Sequence, residues 1–235
     1  MKKSVAFIHA RGGSKRIPRK NIKSFLGKAA IAYPIEAAIK SDIFDEVIIS
    51  TDDQEIANIA VKYGAKQYYL RPAELSNDIA TTDQVFQYDI QAMLNEGHEF
   101  NHACCIYGTS IFLKPEFLEQ AYSLLQNNNN AHSVISTTEY DFSIYRALIK
   151  GDLGHLSMRE PHHRLTRSQD LPEACHDAAQ FYFVPVKNYL KEGRVYPANG
   201  MMSVQIPFNQ VVDIDTPDDW IRAEELCKIL EQDQN

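Results

Sequence analysis

The chain has 235 residues, 44% of them hydrophobic and 23% charged, a length and balance that suit one globular domain with a sizeable core. Its formal net charge of −7 at pH 7 excludes the broadly basic surface of a general nucleic-acid-binding protein. No apolar run approaches the roughly 18 residues of a membrane helix, and the run at residues 5–8 is too short for a signal peptide. We therefore expect a cytoplasmic protein that binds neither nucleic acid nor membrane.

Strand-like and helix-like patterns alternate from the beginning of the chain as far as Gln126. The strand-like runs are "VAFIHA", "EVIISTD", "QYYLRP" and "ACCIYG"; the helix-like runs are "AIAYPIEAAIKS", "DQEIANIAVKYG", "TTDQVFQYDIQAMLNEG" and "PEFLEQAYSLLQ". This order predicts a doubly wound α/β sheet, in which ligands bind beyond the carboxyl ends of the strands. Residues that follow these runs, such as Arg71 and Tyr107, are therefore candidates for a binding site.

The pattern changes after Ser133. The stretch "SVISTTEY" predicts a strand and "YRALIKGDLGHLSM" a hairpin, but the following "REPHHRLTRSQDLPEACHD" has no clear periodicity. A long irregular segment in a compact domain is usually functional or at an interface. We therefore expect a single domain over residues 1–235 with an insertion at about Glu139 to Arg167. The runs "QFYFVPV" and "MMSVQIP" then predict strands, and Thr216 is placed to cap a final helix that begins at Pro217.

Positive charge is concentrated directly after the first predicted strand, in "HARGGSKRIPRKNIK". Six of the 24 basic residues lie there, which leaves 18 to set against 31 acidic residues in the rest of the chain. Two glycines allow close approach of the backbone to a ligand, Arg11 offers a planar fork of donors, and Lys15 and Lys20 add mobile charges. The loop therefore suits a triphosphate, although both the P-loop pattern and the dinucleotide fingerprint are absent. The alternative is a solvated basic loop.

A pair of carboxylates occurs near the end of the chain, in "VDIDT". Asp213 and Asp215 are two apart in what reads as the end of a strand, so both side chains would point to one face. Two carboxylates, completed by water and phosphate oxygens, suit Mg²⁺. The alternative is that the two aspartates only precede a helix. A basic loop and a metal-binding pair at two strand ends favour nucleotide chemistry when taken together.

Several stretches together resemble the CMP-sugar synthetase family of cytidylyltransferases, over nearly the whole chain. They are "ARGGSKRIPRKNIK", "ISTDDQEIANIA", "LRPAELSND", "DAAQFYF" and "DIDTPDDW". The resemblance implies a three-layer α/β/α Rossmann-like nucleotidyltransferase fold. It also implies an Mg²⁺-assisted transfer of CMP from CTP to the anomeric hydroxyl of a nonulosonic (keto) acid sugar, with release of pyrophosphate. "SKRIPRKNIK" and "AQFYF" are most similar to the family members that act on pseudaminic acid, while sialic and legionaminic acids stay open as alternatives.

The resemblance also implies roles for individual residues. Those that would bind CTP are Arg11, Gly13, Ser14, Lys15, Lys20, Asn21, Arg71 and Thr82, with Arg11, Lys15 and Lys20 also catalytic. The stretch "AELSND" after Arg71 would line the nucleotide pocket. Those that would lie beside the sugar are Gln180, Phe181 and Tyr182, with Arg167 pairing with its carboxylate. Asp213 and Asp215 would bind Mg²⁺. The insertion is expected to pack against a second subunit in a homodimer.

Three features depart from the family pattern. His9 stands where the family usually has proline, Ala179 where it usually has glycine, and "IYGTSIFLK" replaces a different stretch. The methyl group of Ala179 would narrow the sugar pocket, or would demand a backbone shift if this position has a positive φ. These departures leave open a CTP-binding regulatory protein that has lost catalysis. The presence of Arg11, Lys15 and both aspartates favours an enzyme.

Overall fold

The computed structural model describes residues 4–232. Over that range the chain forms ten strands: β1 (Ser4–His9), β2 (Ser24–Phe25), β3 (Lys28–Ala29), β4 (Glu46–Ser50), β5 (His102–Tyr107), β6 (Ser133–Glu139), β7 (Leu148–Lys150), β8 (Leu156–Met158), β9 (Cys175–Pro185) and β10 (Met201–Gln205). The same range contains six α-helices: α1 (Ala32–Lys40), α2 (Gln54–Lys62), α3 (Thr82–Asn95), α4 (Pro115–Asn127), α5 (Val186–Glu192) and α6 (Pro217–Gln232). None of these helices is both long and apolar enough to cross a membrane.

The central sheet has six strands in the order β10-β6-β9-β5-β1-β4. Neighbouring strands are parallel except at β9, which runs antiparallel to both β5 and β6. The central strands β1 and β5 are apolar on both faces, as is typical of strands covered by helices on each side. The predicted doubly wound α/β sheet is confirmed.

Helices cover both faces of the sheet, because alternate side chains of a strand point to opposite sides. On β1, Ala6 and Ile8 belong to an apolar cluster that includes residues of α1, α2 and α4. Val5 and Phe7 belong to a second cluster that includes residues of α3 and α5. The three-layer α/β/α arrangement is therefore confirmed, and its two cores account for most of the buried apolar side chains.

A third, smaller cluster fixes the chain segment before α6 against the loop that follows β1. Ile17 from that loop and Ile214 are both buried there, together with Phe25 and Trp220, whose ring centroids are 5.3 Å apart in an edge arrangement. Lys23 adds a cation–π contact, with its Nζ 4.3 Å from the Trp220 ring centroid. This packing places two segments that are far apart in sequence at one edge of the sheet.

The segment "QYYLRP" does not form the strand that its composition predicts. Its only ladder contact in the described structure is an isolated bridge next to it, between Lys66 and Ile48. The tyrosines are used for side-chain contacts instead: Tyr68 donates to Glu46, and Tyr69 donates to the buried Asp89. The segment therefore crosses the end of β4 as an irregular connection.

The insertion lies between β6 and β9. Its only regular strands in the part of the chain that the structure describes are β7 and β8, which form the predicted hairpin around Gly151 and Gly154. Because β9 is antiparallel to its neighbours, it begins at the sheet edge where β6 ends. The insertion therefore emerges at the edge where the carboxyl ends of the parallel strands meet.

Candidate active site

The loop after β1 is held close to the beginning of α2. The backbone N–H of Gly12 donates to Asp52 Oδ1 at 2.8 Å, and a Cβ on Gly12 would lie 2.9 Å from Asp53 Oδ2. Only glycine therefore fits this approach without movement of Asp53. Asp53 also caps α2 by accepting from two backbone N–H groups, and it pairs with Arg19. This pairing raises the pKa of Arg19 and lowers that of Asp53.

A cavity of about 380 Å³ opens beside this loop at the carboxyl edge of the sheet. Its lining comes from the loop after β1, the 71–85 segment, the end of β5 and the segment before α6. The lining residues are His9, Arg11, Ser14, Lys15, Arg16, Ile17, Lys20, Asn21, Arg71, Leu75, Asn77, Asp78, Ala80, Thr82, Val85, Tyr107, Gly108, Thr109, Asp213 and Asp215. The cavity thus lies where a doubly wound sheet is expected to bind its ligand.

Four basic side chains line one end of the cavity, and each has an acidic or carbonyl partner. Arg11 Nη1 is 2.7 Å from Asp78 Oδ1, and Lys15 Nζ is 2.6 Å from Asp78 Oδ2. Arg16 Nη2 is 2.7 Å from Asp215 Oδ2. Lys20 Nζ donates to the Ile214 carbonyl at 2.5 Å and lies 3.3 Å from Asp215 Oδ1. This concentration of cations suits a polyphosphate, whose oxygens can replace the carboxylates.

The two aspartates predicted to bind metal both line the cavity, although the strand that was expected to carry them is absent. Residues 211–215 form no ladder. Ile214 is nevertheless buried between the two aspartates, so side chains in this irregular segment still alternate between the cavity and the interior. The pKa of Asp213 is raised, mainly because surrounding protein removes water from its carboxyl group and next because of the charge on Asp215. A bound cation would relieve that repulsion.

The other end of the cavity is more enclosed. Arg71 is buried, its backbone N–H donates to the Thr51 carbonyl at 2.8 Å, and its Nε donates to Ser76 Oγ at 3.1 Å. Burial lowers the pKa of Arg71, while the charge of Asp89 opposes that shift. Across the cavity, Thr82 Oγ1 lies 2.6 Å from the hydroxyl of Tyr107. Fixed donors and acceptors of this kind suit recognition of an uncharged polar ligand group.

The structure brings together nearly all of the residues predicted to bind CTP. Arg11, Ser14, Lys15, Lys20, Asn21, Arg71 and Thr82 line the cavity. Gly13 is outside the lining set, on the same loop, with open space where a Cβ would stand. Asn21 supports the loop from within, because its Nδ2 donates to the Arg11 carbonyl at 2.9 Å.

The residues predicted to lie beside the sugar are outside this cavity. Gln180 Nε2 donates to the Gln210 carbonyl at 2.8 Å, and Tyr182 donates to Asp177 Oδ2 at 2.5 Å. Phe181 is fully buried in the first core cluster, so any contact it makes with a sugar is restricted to its backbone. Arg167 is exposed on the insertion. Their roles toward a sugar stay predictions.

Ala179 has a φ of 51°, so this departure from the family pattern lies in the left-handed region that favours glycine. Its backbone N–H donates to Asp177 Oδ1 at 2.8 Å, next to a register shift between β6 and β9. The position therefore has the positive φ on which the predicted backbone shift depended, and an L residue is strained in this region. The narrowing of the sugar pocket stays a prediction.

Sequence reasoning left several cavity residues without a specific role. Arg16 was only one of the counted basic residues, and Asp78 was expected to line the nucleotide pocket as part of "AELSND" but was assigned no partner. His9, noted only as a departure, has its Nε2 2.7 Å from Asp89 Oδ2 and its Nδ1 3.3 Å from Cys105 Sγ. Asp89 is fully buried in α3, where it also accepts from Ser50. An acidic residue at an apolar position of a helix was the available signal for this network.

The fold and the cavity together define a nucleotide-binding α/β protein of the nucleotidyltransferase type. A family model described as "Cytidylyltransferase" matches residues 5–234, and the chain belongs to this family. It is 41% identical over 227 residues to the pseudaminic acid cytidylyltransferase of Campylobacter jejuni serotype O:2, covering 97% of each chain. It is 28% identical to the CMP-N,N'-diacetyllegionaminic acid synthase of Legionella pneumophila, again covering 97% of each.

Solved structures show the same fold. One is a CMP:2-keto-3-deoxy-manno-octonic acid synthetase complexed with CTP, with a TM-score of 0.68 at 16% identity over 96% of this chain and 98% of the other. Another is a 4-diphosphocytidyl-2C-methyl-D-erythritol synthase from Anaerococcus prevotii, with a TM-score of 0.67 at 14% identity over 97% and 96% of the two chains. At these identities the likeness concerns the fold alone.

Proposed function

We propose that the chain transfers CMP from CTP to the anomeric hydroxyl of pseudaminic acid, with release of pyrophosphate. The observation that carries this proposal is the cavity, which combines four basic side chains with two converging carboxylates in a member of the cytidylyltransferase family. The choice of sugar is supported by the 41% identity, over nearly the full length, to a relative named for pseudaminic acid.

The basic end of the cavity would hold the triphosphate of CTP. Arg11 and Arg16 can each bind two phosphate oxygens in a plane, while Lys15 and Lys20 act as point charges. As the bond between the α- and β-phosphates breaks, negative charge grows on the departing pyrophosphate. Fixed cations at that position lower the barrier because they stabilise the charge as it develops. We therefore assign Arg11, Lys15 and Lys20 to catalysis as well as to binding.

Asp213 and Asp215 are the residues that would hold Mg²⁺. Two carboxylates suit this ion, which takes its remaining ligands from water and phosphate oxygens. When bound, Mg²⁺ would neutralise charge on the nucleotide. Asp215 would exchange its contacts with Arg16 and Lys20 for the ion, which frees those cations to face phosphate.

The sugar is proposed to enter from the side of Tyr107. The ring of Tyr107 packs edge-on against that of Tyr182, with centroids 5.7 Å apart, so the predicted sugar residues begin directly behind this cavity wall. Asp177, which accepts from both Tyr182 and Tyr196, extends this polar group toward the insertion. Arg167 would reach the carboxylate of the sugar from the insertion. Because the reaction uses CTP, the cytoplasm remains our expectation for its location.

A homodimer through the insertion is the proposed assembly. The insertion exposes large apolar side chains, among them Leu153 at 98%, Leu165 at 84% and Phe142 at 83% exposure. This number of highly exposed apolar side chains on one segment supports an interface there. Light scattering on the parent and on Leu153→Asp together with Leu165→Asp should show a dimer that dissociates in the double variant. A monomeric parent at micromolar concentration would contradict the proposal.

The test of the activity is a pyrophosphate-release assay with CTP, Mg²⁺ and a panel of keto acid sugars. We expect the highest kcat/KM with pseudaminic acid and lower values with legionaminic and sialic acids. Highest turnover with another sugar of the panel would correct the substrate but keep the reaction. CTP binding without turnover of any sugar would favour a binding protein that has lost catalysis.

A further inference from the structure

Asp78 accepts hydrogen bonds from Arg11 and Lys15, two side chains that a bound triphosphate would need as donors. One carboxylate oxygen lies 2.7 Å from Arg11 and the other 2.6 Å from Lys15, so a single side chain bridges two cations of the basic loop. The two bonds lower the pKa of Asp78, with Lys15 as the larger cause and Arg11 next, and the carboxylate is charged at neutral pH. Three oxygens of a phosphate group would compete for the same N–H groups.

The carboxylate is presented by an ordered turn. Asn77 Oδ1 accepts from the backbone N–H groups of Ile79 at 2.8 Å and Ala80 at 2.9 Å, and Asn77 Nδ2 donates to the Glu74 carbonyl at 2.8 Å. Arg11 also donates to the Asn77 carbonyl at 2.9 Å. The turn therefore holds Asp78 at the mouth of the cavity, and little chain entropy is lost when its ion pairs form.

We propose that Asp78 sets the phosphate affinity of the site by competing, within the same chain, for Arg11 and Lys15. The inference rests on the proposed function. Any phosphate ligand that uses these two cations must displace the carboxylate, so it binds more weakly than it would to the bare loop. CTP also binds through its nucleoside, which offsets the weaker phosphate binding, whereas pyrophosphate binds only through its charges. When pyrophosphate is the product, return of Asp78 to the two cations favours its release.

The test is calorimetric titration of the full chain with CTP, pyrophosphate and inorganic tripolyphosphate, without sugar or Mg²⁺. Asp78→Asn should tighten all three by a similar factor of roughly three to ten, because two exposed ion pairs no longer compete. Asp78→Ala is the second variant and should act in the same direction. In turnover, product inhibition by pyrophosphate should become stronger in both variants.

Two comparisons separate competition from a general effect of charge or folding. Glu119→Gln removes one negative charge from an exposed position on α4, outside the cavity, and should leave the three affinities unchanged. In a Lys15→Ala background, Asp78→Asn should tighten binding by a smaller factor than in the parent, because one competing pair is already absent. A purely structural role of Asp78 would not produce this coupling.

Unchanged or weaker binding of pyrophosphate and tripolyphosphate in Asp78→Asn would overturn the proposal. So would an equal effect of Asp78→Asn in the presence and absence of Lys15. The result stays independent of the proposed activity: a parent that binds tripolyphosphate but not CTP contradicts the activity, while the tripolyphosphate comparison still decides the role of Asp78.

Discussion

Replacing Asp215 by asparagine tests the metal site with little change in size. In the structure its carboxylate lies 2.7 Å from Arg16 and 3.3 Å from Lys20, and the three side chains are 39%, 64% and 19% exposed. Ion pairs with this much solvent contact contribute about 0.2–1 kcal/mol each, so the free energy of unfolding should fall by at most about 2 kcal/mol. Loss of a metal ligand should instead remove several kcal/mol of transition-state stabilisation. Because each 1.36 kcal/mol is a factor of ten in rate, kcat/KM should fall by at least about 100-fold.

The assay is pyrophosphate release at saturating CTP across a Mg²⁺ titration, with urea unfolding of each variant as the measure of stability. Asp218→Asn is the matched control, because Asp218 is exposed in the first turn of α6, where its effect is about 0.3–1 kcal/mol through the helix dipole. Asp219 is unsuitable, since its carboxylate accepts from the backbone N–H groups of Asp215 and Thr216. Near-parental rates and unchanged Mg²⁺ dependence in both Asp213→Asn and Asp215→Asn would refute the metal site.

Three further predictions concern Lys15, the nucleotide base that the site recognises, and Ala179. Lys15→Ala should lower kcat as well as CTP affinity, since the contact strengthens in the transition state; steady-state kinetics that place kcat/KM within about threefold of the parent would exclude that role. CTP should be used far better than UTP in the same pyrophosphate assay, and comparable turnover of both would be incompatible with cytosine recognition. Ala179→Gly should raise the free energy of unfolding by up to about 1 kcal/mol, because relief of the positive φ exceeds the added entropy of the unfolded chain. A lower urea midpoint for this variant would show that the methyl group contributes to packing.

The parts of the fold that sequence predicts are those determined by local periodicity. The strands β1, β4 and β5 and the helices α1 to α4 follow directly from apolar runs and helical repeats, and all were found within a few residues of the expected bounds. "QYYLRP" has the composition of a strand but forms no ladder in the described structure, because the backbone bonds to β4 and the residue after it occur only at Lys66, just before the segment, and at Arg71. Strand composition alone therefore overpredicts strands at the edge of a sheet.

In the candidate site, too, features set by local sequence were predicted and those that depend on distant contacts were not. The basic loop and the "DIDT" aspartates were found because their residue types indicate chemistry by themselves. The role of Asp78, the pairing of Arg16 with Asp215, and the His9 contact with Asp89 depend on side chains from segments far apart in the chain. A single sequence does not show which of these residues pair with each other, although an acidic residue at an apolar helix position, such as Asp89, indicates that a buried partner exists. The strand predicted at Asp213 was wrong, yet both carboxylates face the cavity because burial of Ile214 alone produces the same alternation.

The bond from Lys20 Nζ to the Ile214 carbonyl joins positions 194 residues apart. At roughly 5–20 residues per second, a ribosome needs about 10–40 s to extend the chain from one to the other. During that interval the nascent chain displays a basic loop whose acidic partners before α6 have not yet been made. The cavity is therefore completed late in synthesis, and a stalled or truncated product that stops short of Asp213 retains all six strands of the sheet and the rest of the cavity lining but lacks both aspartates.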